Sequence, residues 1–212
     1  NTSPPCIQVM VIRSKGLTDD GQRIYGRRSA RRRPTSQVLN IPARLQCCPV
    51  HLLAQATIHS RDLLLANSYL NEKKVVMVGV GTLGSTVTIQ LARAGIGHLV
   101  LIDPDKLADA NLGRHVLGAD DLGRYKTLAL KEYLQHEFPL VKVQSIPNFI
   151  QFETASQPDI LEDADAVVIT TADWLSEEFL WSKKSCGASS SLIQGWAERH
   201  AIVGHVLIAP TN

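Results

Sequence analysis

The sequence predicts an α/β domain with a mostly parallel sheet and helices on both faces. Three observations carry that expectation. Val75, Val76, Met77 and Val78 form a short apolar run, the pattern of a strand buried on both faces. Gly79, Gly81 and Gly84 follow in G-x-G-x-x-G spacing, and from Leu83 to Arg93 the apolar period becomes helical, with Leu83, Val87 and Leu91 on one stripe. A second β-rich run, His98 to Ile102, ends in Asp103, 19 residues after Gly84. Strand, glycine turn, helix, strand and acid in that order make a Rossmann-like arrangement. The glycines let backbone approach a phosphate, and the helix N-terminus offers free N–H groups and a positive dipole end. The acid is placed to accept hydrogen bonds from a ribose. The glycine spacing alone also fits a turn needed only for tight helix–sheet packing.

The remaining elements follow in order. Residues 1–60 show no sustained apolar period, and no regular structure is predicted there. They hold the basic run Arg23, Arg27, Arg28, Arg31, Arg32 and Arg33, and read as a linker or the end of a preceding domain. Ala54 to Leu70 turns helical and leads into the nucleotide domain of residues 61–212. Gly95 stands where a helix C-terminal cap is wanted. Asn111 to Leu117 reads as a loop or short turn. Asp120 or Asp121 is expected to cap the next helix, which runs to about Glu137 and stops at Pro139. Lys126 falls near the start of that helix, where a cation opposes the dipole and a phosphate would give it a reason to be. Val141 to Ile146 and Ala164 to Thr170 read as strands. Asp173, just past the second, points into the crevice at the strand ends and can also cap the helix of residues 175–185. Cys186 is expected as a small buried hydrophobe facing the sheet. Ser191 to Gly195 and Ala201 to Ala209 are further strands.

Composition limits the function classes. The chain has 212 residues, 44% hydrophobic and 20% charged, enough for a sizeable core. Net charge is +2, split between net +7 in residues 1–60 and net −5 in the rest. No apolar run spans a membrane, and no signal peptide is visible. Cys6, Cys47, Cys48 and Cys186 show no C-x-x-C repeat, which suits a reducing cytoplasm and no zinc site. Nucleic acid is a weak expectation, resting on the arginine run alone.

The residues after Asp103 narrow the ligand. Asp105, Asn111, Arg114 and Lys126 all lie within 23 residues of it. Cations at the carboxyl end of a sheet suit a triphosphate better than a pyrophosphate already neutralised by backbone N–H groups. Both Arg114 and Lys126 are expected exposed in the crevice.

The stretches VVMVGVGTLGS, LIDPD, NLGRH, GRYK and VVITTADW, in that order and spacing, resemble the ThiF/MoeB/HesA superfamily, which includes the ubiquitin-activating enzymes. The resemblance covers about residues 61–212. It implies a cytoplasmic enzyme using ATP and magnesium to adenylate the C-terminal carboxylate of a ubiquitin-like or sulfur-carrier protein. It assigns Gly79, Gly81 and Gly84 to the phosphate turn and Asp103 to the ribose. Asp105, Asn111, Arg114 and Lys126 go to the phosphates, with Arg114 and Lys126 catalytic, and Asp173 goes to magnesium. It further implies a homodimer, with Arg61 reaching the neighbour's site. His115 stands where many relatives have Gln, a variant similar to bacterial members associated with ubiquitin-conjugation-like partners; by itself it reads as a surface or packing residue. In thioester-forming members the nucleophilic cysteine lies beyond the position matching Asn212, so the domain is expected to be truncated at its C-terminal end. Three other readings stand beside this one: a catalytically silent scaffold of the same fold, a tRNA-modifying relative that activates a carboxylate, and an NAD-dependent oxidoreductase.

Overall fold

Residues 10–14, 43–47, 58, 69–185 and 190–210 are described in the computed structural model. The chain divides into two units, Asn1–Leu52 and Leu53–Asn212. In the first, strands β1 (Met10–Ser14) and β2 (Ala43–Cys47) pair antiparallel, with Met10 opposite Cys47 and Ser14 opposite Ala43. This corrects the expectation of no regular structure in residues 1–60. Each strand is five residues long, and 28 residues separate them, so no local period announces a pairing made by backbone hydrogen bonds. The arginine run, Arg61 and Cys186 lie outside the described residues. So does most of the helix expected over residues 54–70; Ile58 is helical, and Leu70 belongs to a 3-10 turn, Leu70–Glu72.

The second unit is built on six strands: β3 (Lys74–Val78), β4 (His98–Ile102), β5 (Lys142–Ile146), β6 (Ala166–Ile169), β7 (Ser191–Ala197) and β8 (Gly204–Ala209). Their order is β5-β4-β3-β6-β7-β8, parallel except for β8, which runs antiparallel to β7. The helices are α1 (Thr82–Ala94), α2 (Lys126–Glu137), α3 (Ile150–Ser156), α4 (Asp159–Glu162) and α5 (Trp174–Ser185). Alternate strand residues separate two cores. Val75, Met77, Leu99 and Leu101 face Ile89 of α1 and Leu130 and Leu134 of α2. Val76, Val78, Val100 and Ile102 face Ile150, Ile160 and Leu180 on the other side. Burial on both faces is why β3 and β4 read as unbroken apolar runs. The fold is thus the Rossmann-like sheet with helices on both faces that the sequence predicts.

Helix α1 ends as expected, on Gly95 in the left-handed region at φ 94°. Its buried face is different from the predicted stripe. Gly84, Ser85, Thr88, Ile89 and Ala92 are buried, Val87 and Leu91 are half-buried and Leu83 is exposed. Thr88 can lie in the core because its hydroxyl donates to the Gly84 carbonyl at 2.7 Å. Small residues on this face let the helix lie close to the strands, which an apolarity count cannot register.

Helix α2 also starts differently. Asp120 and Asp121 lie in a 3-10 turn, Ala119–Asp121, and cap nothing in α2, which begins at Lys126 after Tyr125. Between the two, the chain runs antiparallel against residues 105–107. Leu107 N–H donates to Arg124, Gly123 N–H to Leu107 and Lys126 N–H to the Asp105 carbonyl. That pairing holds the chain extended until Lys126.

The close approach that positions the crevice is at Gly84. A Cβ there would lie 2.0 Å from the Gly79 carbonyl oxygen and 2.4 Å from Thr170 Oγ1. At Gly81 a Cβ would meet nothing within 4 Å. Gly84→Ala is therefore expected to cost about 3 kcal/mol or more by overpacking against backbone. Gly81→Ala should stay within about 1 kcal/mol of the parent. Urea denaturation of the two variants side by side checks this.

Candidate functional site

Strands β3, β4 and β6 end side by side, and β3 lies where the chain's path reverses, with β4 on one flank and β6 on the other. Such a switch point leaves an opening above the carboxyl ends. A crevice of about 550 Å³ occupies it.

One wall is the glycine turn. Gly79 leaves β3 at φ +88°, and a Cβ there would stand 2.8 Å from the Thr171 nitrogen, so both torsion and space require glycine. Its carbonyl accepts the Thr170 hydroxyl at 2.7 Å. The backbone of Val80 is held on both sides of its Cα. Val80 N–H donates to Asp103 Oδ2 at 2.8 Å, and the Val80 carbonyl lies 2.8 Å from His115 Nε2. Gly81 is the N-cap of α1, without a side-chain cap, so the first N–H groups of that helix open toward the crevice.

The opposite wall carries Asp105, Asn111, Arg114 and Lys126. Asp105 N–H donates to Asp103 Oδ1 at 2.8 Å, which ties this loop to the same carboxylate that holds Val80. Lys126 is the first residue of α2 and only 7% exposed; its Nζ lies 2.8 Å from Asp105 Oδ2, on a side chain that is 67% exposed. This corrects the expectation of an exposed lysine: the start of α2 packs it behind the loop of Asp105. Arg114 is exposed as expected, and its Nη1 donates to the Ala110 carbonyl at 2.8 Å. Asn111 Oδ1 accepts the Ala108 N–H at 3.0 Å and closes the turn that carries Arg114.

Asp173 stands on the floor beside α5. Its Oδ2 accepts the Ser176 N–H at 3.0 Å and the Ser176 hydroxyl, so it does cap the helix, which starts at Trp174. The Ser176 hydroxyl is the main reason its carboxyl is held below the usual value, with the Ser176 and Leu175 N–H groups adding and burial opposing. Burial pushes the Asp103 carboxyl up, against the N–H groups of Asp105 and Val80 and the charge of Lys126. Burial likewise lowers His115; the Val80 carbonyl opposes this and Lys126 reinforces it.

Gly79, Gly81, Asp103, Asp105, Asn111, Arg114, Lys126 and Asp173 thus line one crevice. Gly84 stands behind it, packed under Gly79. Sequence reasoning missed Thr170, Asn148, Phe149 and Trp196, and read His115 only as a surface or packing residue. Asn148 and Phe149 follow the carboxyl end of β5, and that position was the available signal. Trp196, Thr170 and His115 reach the site through tertiary contacts that carry no local pattern. Among the described residues no group of three His, Cys, Asp or Glu is placed to hold a metal ion, and no helix is long and apolar enough to cross a membrane.

Fold and crevice define a doubly wound α/β domain with a glycine turn at its switch point. The family model described as "ThiF family" matches residues 59–201, and the chain belongs to that family. It is 37% identical over 106 residues to the ATP-dependent ubiquitin transferase-like protein Cap2 of Escherichia coli, covering 48% of this chain and 18% of that protein. It is 37% identical over 100 residues to the sulfur carrier protein adenylyltransferase of Thermus thermophilus, covering 47% of this chain and 36% of that one. Among solved structures, Escherichia coli MccB with ATP matches with TM-score 0.54 at 31% identity, over 63% of this chain and 39% of MccB. The chain spans well under half the length of these relatives.

The two cations differ in what they do for the fold. Arg114→Ala should leave stability within about 0.5 kcal/mol, as at an exposed position, whereas Lys126→Ala should cost about 2 kcal/mol through lost packing of a buried stem. Equal urea midpoints would contradict that division.

His115 gives a pH dependence. Its folded value lies below the usual 6.5, so below that pH the unfolded chain binds a proton that the folded chain refuses. The contribution is whole above pH 6.5 and falls away as pH drops toward the folded value. Urea midpoints of wild type should decline more steeply in that window than those of His115→Gln.

Proposed function

We propose that the crevice binds ATP with magnesium and adenylates the C-terminal carboxylate of a ubiquitin-like or sulfur-carrier protein. The observation that carries this is Lys126. A buried ammonium at the first position of a helix opposes the dipole. It lines the same crevice as the uncapped N-terminus of α1 and the guanidinium of Arg114. Two positive helix ends and two cations converging on one crevice match a polyanion. Membership of the ThiF family, with adenylyltransferases among the named relatives, supports ATP as that polyanion.

In this reading the carboxylate oxygen attacks the α-phosphorus, the bond to the departing pyrophosphate breaks, and an acyl-adenylate forms. No side chain need move a proton. The work is positioning and offsetting charge on the phosphorus oxygens. The glycine turn and the first N–H groups of α1 hold phosphate oxygens. Asp103 retains lone pairs for ribose hydroxyls while it fixes the turn. Arg114 and Lys126 stabilise charge at the α-phosphate, and Asn111 orients the loop that carries Arg114. Asp173 would hold magnesium, and a single carboxylate fits an ion that completes its shell with phosphate oxygens and water. When bound, that ion neutralises charge between the phosphates.

ATP with magnesium should raise the melting temperature more than NAD, because a ligand of the folded state alone stabilises it by mass action. In Arg114→Ala, ATP–pyrophosphate exchange driven by a ubiquitin-like or sulfur-carrier protein should fall about 100-fold while the melting temperature holds. Stabilisation by NAD with ATP inert would overturn the reading in favour of an oxidoreductase.

A further inference from the structure

We propose that His115 is a positioning residue for the nucleotide turn, acting as the neutral Nε2–H tautomer to fix the Val80–Gly81 peptide through the Val80 carbonyl; this rests on the ATP reading of the crevice. His115 is 9% exposed and comes from the loop after Asn111, not from the turn it contacts. Its Nδ1 lies 3.1 Å from the Leu117 nitrogen. A backbone N–H can only donate, so Nδ1 must accept and the ring proton must sit on Nε2. That proton is then donated to the Val80 carbonyl at 2.8 Å.

The consequence lies in the turn. The Val80 N–H is held by Asp103, and the Val80 carbonyl by His115. These groups belong to the two peptides that meet at Val80, and neither peptide can rotate without breaking a buried hydrogen bond. Gly79 and Gly81 flank Val80, and at Gly81 no neighbouring atom lies within 4 Å of where a Cβ would stand, while its carbonyl accepts the Ser85 N–H at 2.9 Å. His115 therefore does for this glycine-bounded turn what a side chain at either glycine would otherwise do: it removes the freedom of a flexible segment before the ligand arrives.

A proton on Nδ1 would face the Leu117 N–H, donor against donor, and leave a buried N–H without an acceptor. Three charged groups face the ring from the elements around it. Lys126 of α2 disfavours the imidazolium, while Asp103 after β4 and Asp121 in the 3-10 turn favour it. Burial acts with Lys126 against the two carboxylates and the Val80 carbonyl, and the ring's value lies below its usual one.

The roles predict which replacements work. A Gln carboxamide has one donor and one acceptor atom and can serve Val80 and Leu117 together. Leu fills the space and serves neither. The first measurement is the imidazole nitrogen NMR spectrum of the wild-type chain without ligand, which should show neutral Nε2–H at neutral pH. An Nδ1–H tautomer or a charged ring overturns the proposal without reference to ATP. The second is the ATP–magnesium affinity of folded variants by calorimetry. His115→Leu should bind ATP about tenfold more weakly than wild type, the loss expected of one hydrogen-bond-sized restraint, and His115→Gln should recover most of it. Wild-type affinity in His115→Leu overturns the proposal, as does a loss in His115→Gln equal to that in His115→Leu. If His115→Leu does not fold, the Gln variant and the tautomer still decide. If wild type binds no ATP at all, the nucleotide reading falls and the proposal falls with it, while the tautomer is read independently.

Discussion

The site depends on one steric fact, that Gly84 has no side chain. Helix α1 rests its first turn against the Gly79 carbonyl and the Thr170 hydroxyl, at distances a Cβ would make impossible. That contact puts the helix N-terminus above the ends of β3 and β6, with its dipole pointing into the crevice. It also fixes where the Gly79 carbonyl must point, and Thr170 accepts that direction by donating to it. The two peptides that meet at Val80 are then settled by Asp103, which holds the Val80 N–H through a charge, and by His115, which holds the Val80 carbonyl through a neutral ring. Asp103 adds a second bond, to the Asp105 N–H, so one buried carboxylate couples the glycine wall to the wall that carries the cations.

Charge in the crevice is distributed by burial. Lys126 is enclosed and rigidly paired, while its partner Asp105 and the guanidinium of Arg114 face solvent. A buried ammonium keeps its field in a low-dielectric wall, where it is felt more strongly than at the surface. An exposed arginine on a turn can swing toward an incoming anion. The crevice thus combines a buried, paired cation with an exposed one.

Much of this was legible in the sequence, for identifiable reasons. Strands β3 and β4 are buried on both faces and bounded by glycine or acid, so composition alone marks them. The left-handed torsions at Gly79 and Gly95 are local requirements that only a glycine meets easily, and glycine is what stands there. Asp173 announces itself by following a buried strand and preceding a helix. The failures share another cause. Strands β1 and β2 exist through a partner far along the chain. The start of α2 is set by pairing with residues 105–107, not by a capping side chain, so the acids at 120 and 121 were a false signal. The buried face of α1 is chosen by closeness, which favours Ser85 and Thr88 over Leu83. Lys126 and His115 are buried by neighbours from other elements, which spacing along the chain does not encode.

The pairing of β3 with β6 has a consequence in time. Thr170, which fixes the Gly79 carbonyl, is 91 residues further along the chain. At synthesis rates of about 5 to 20 residues per second, the glycine turn leaves the ribosome roughly 5 to 20 s before its floor can exist. During that interval β3, β4 and β5 can pair, because their partners are already made, but β3 keeps one bare edge. The crevice is therefore among the last features of the domain to assemble, and its glycine turn spends its early life without the Thr170 hydroxyl that fixes the Gly79 carbonyl.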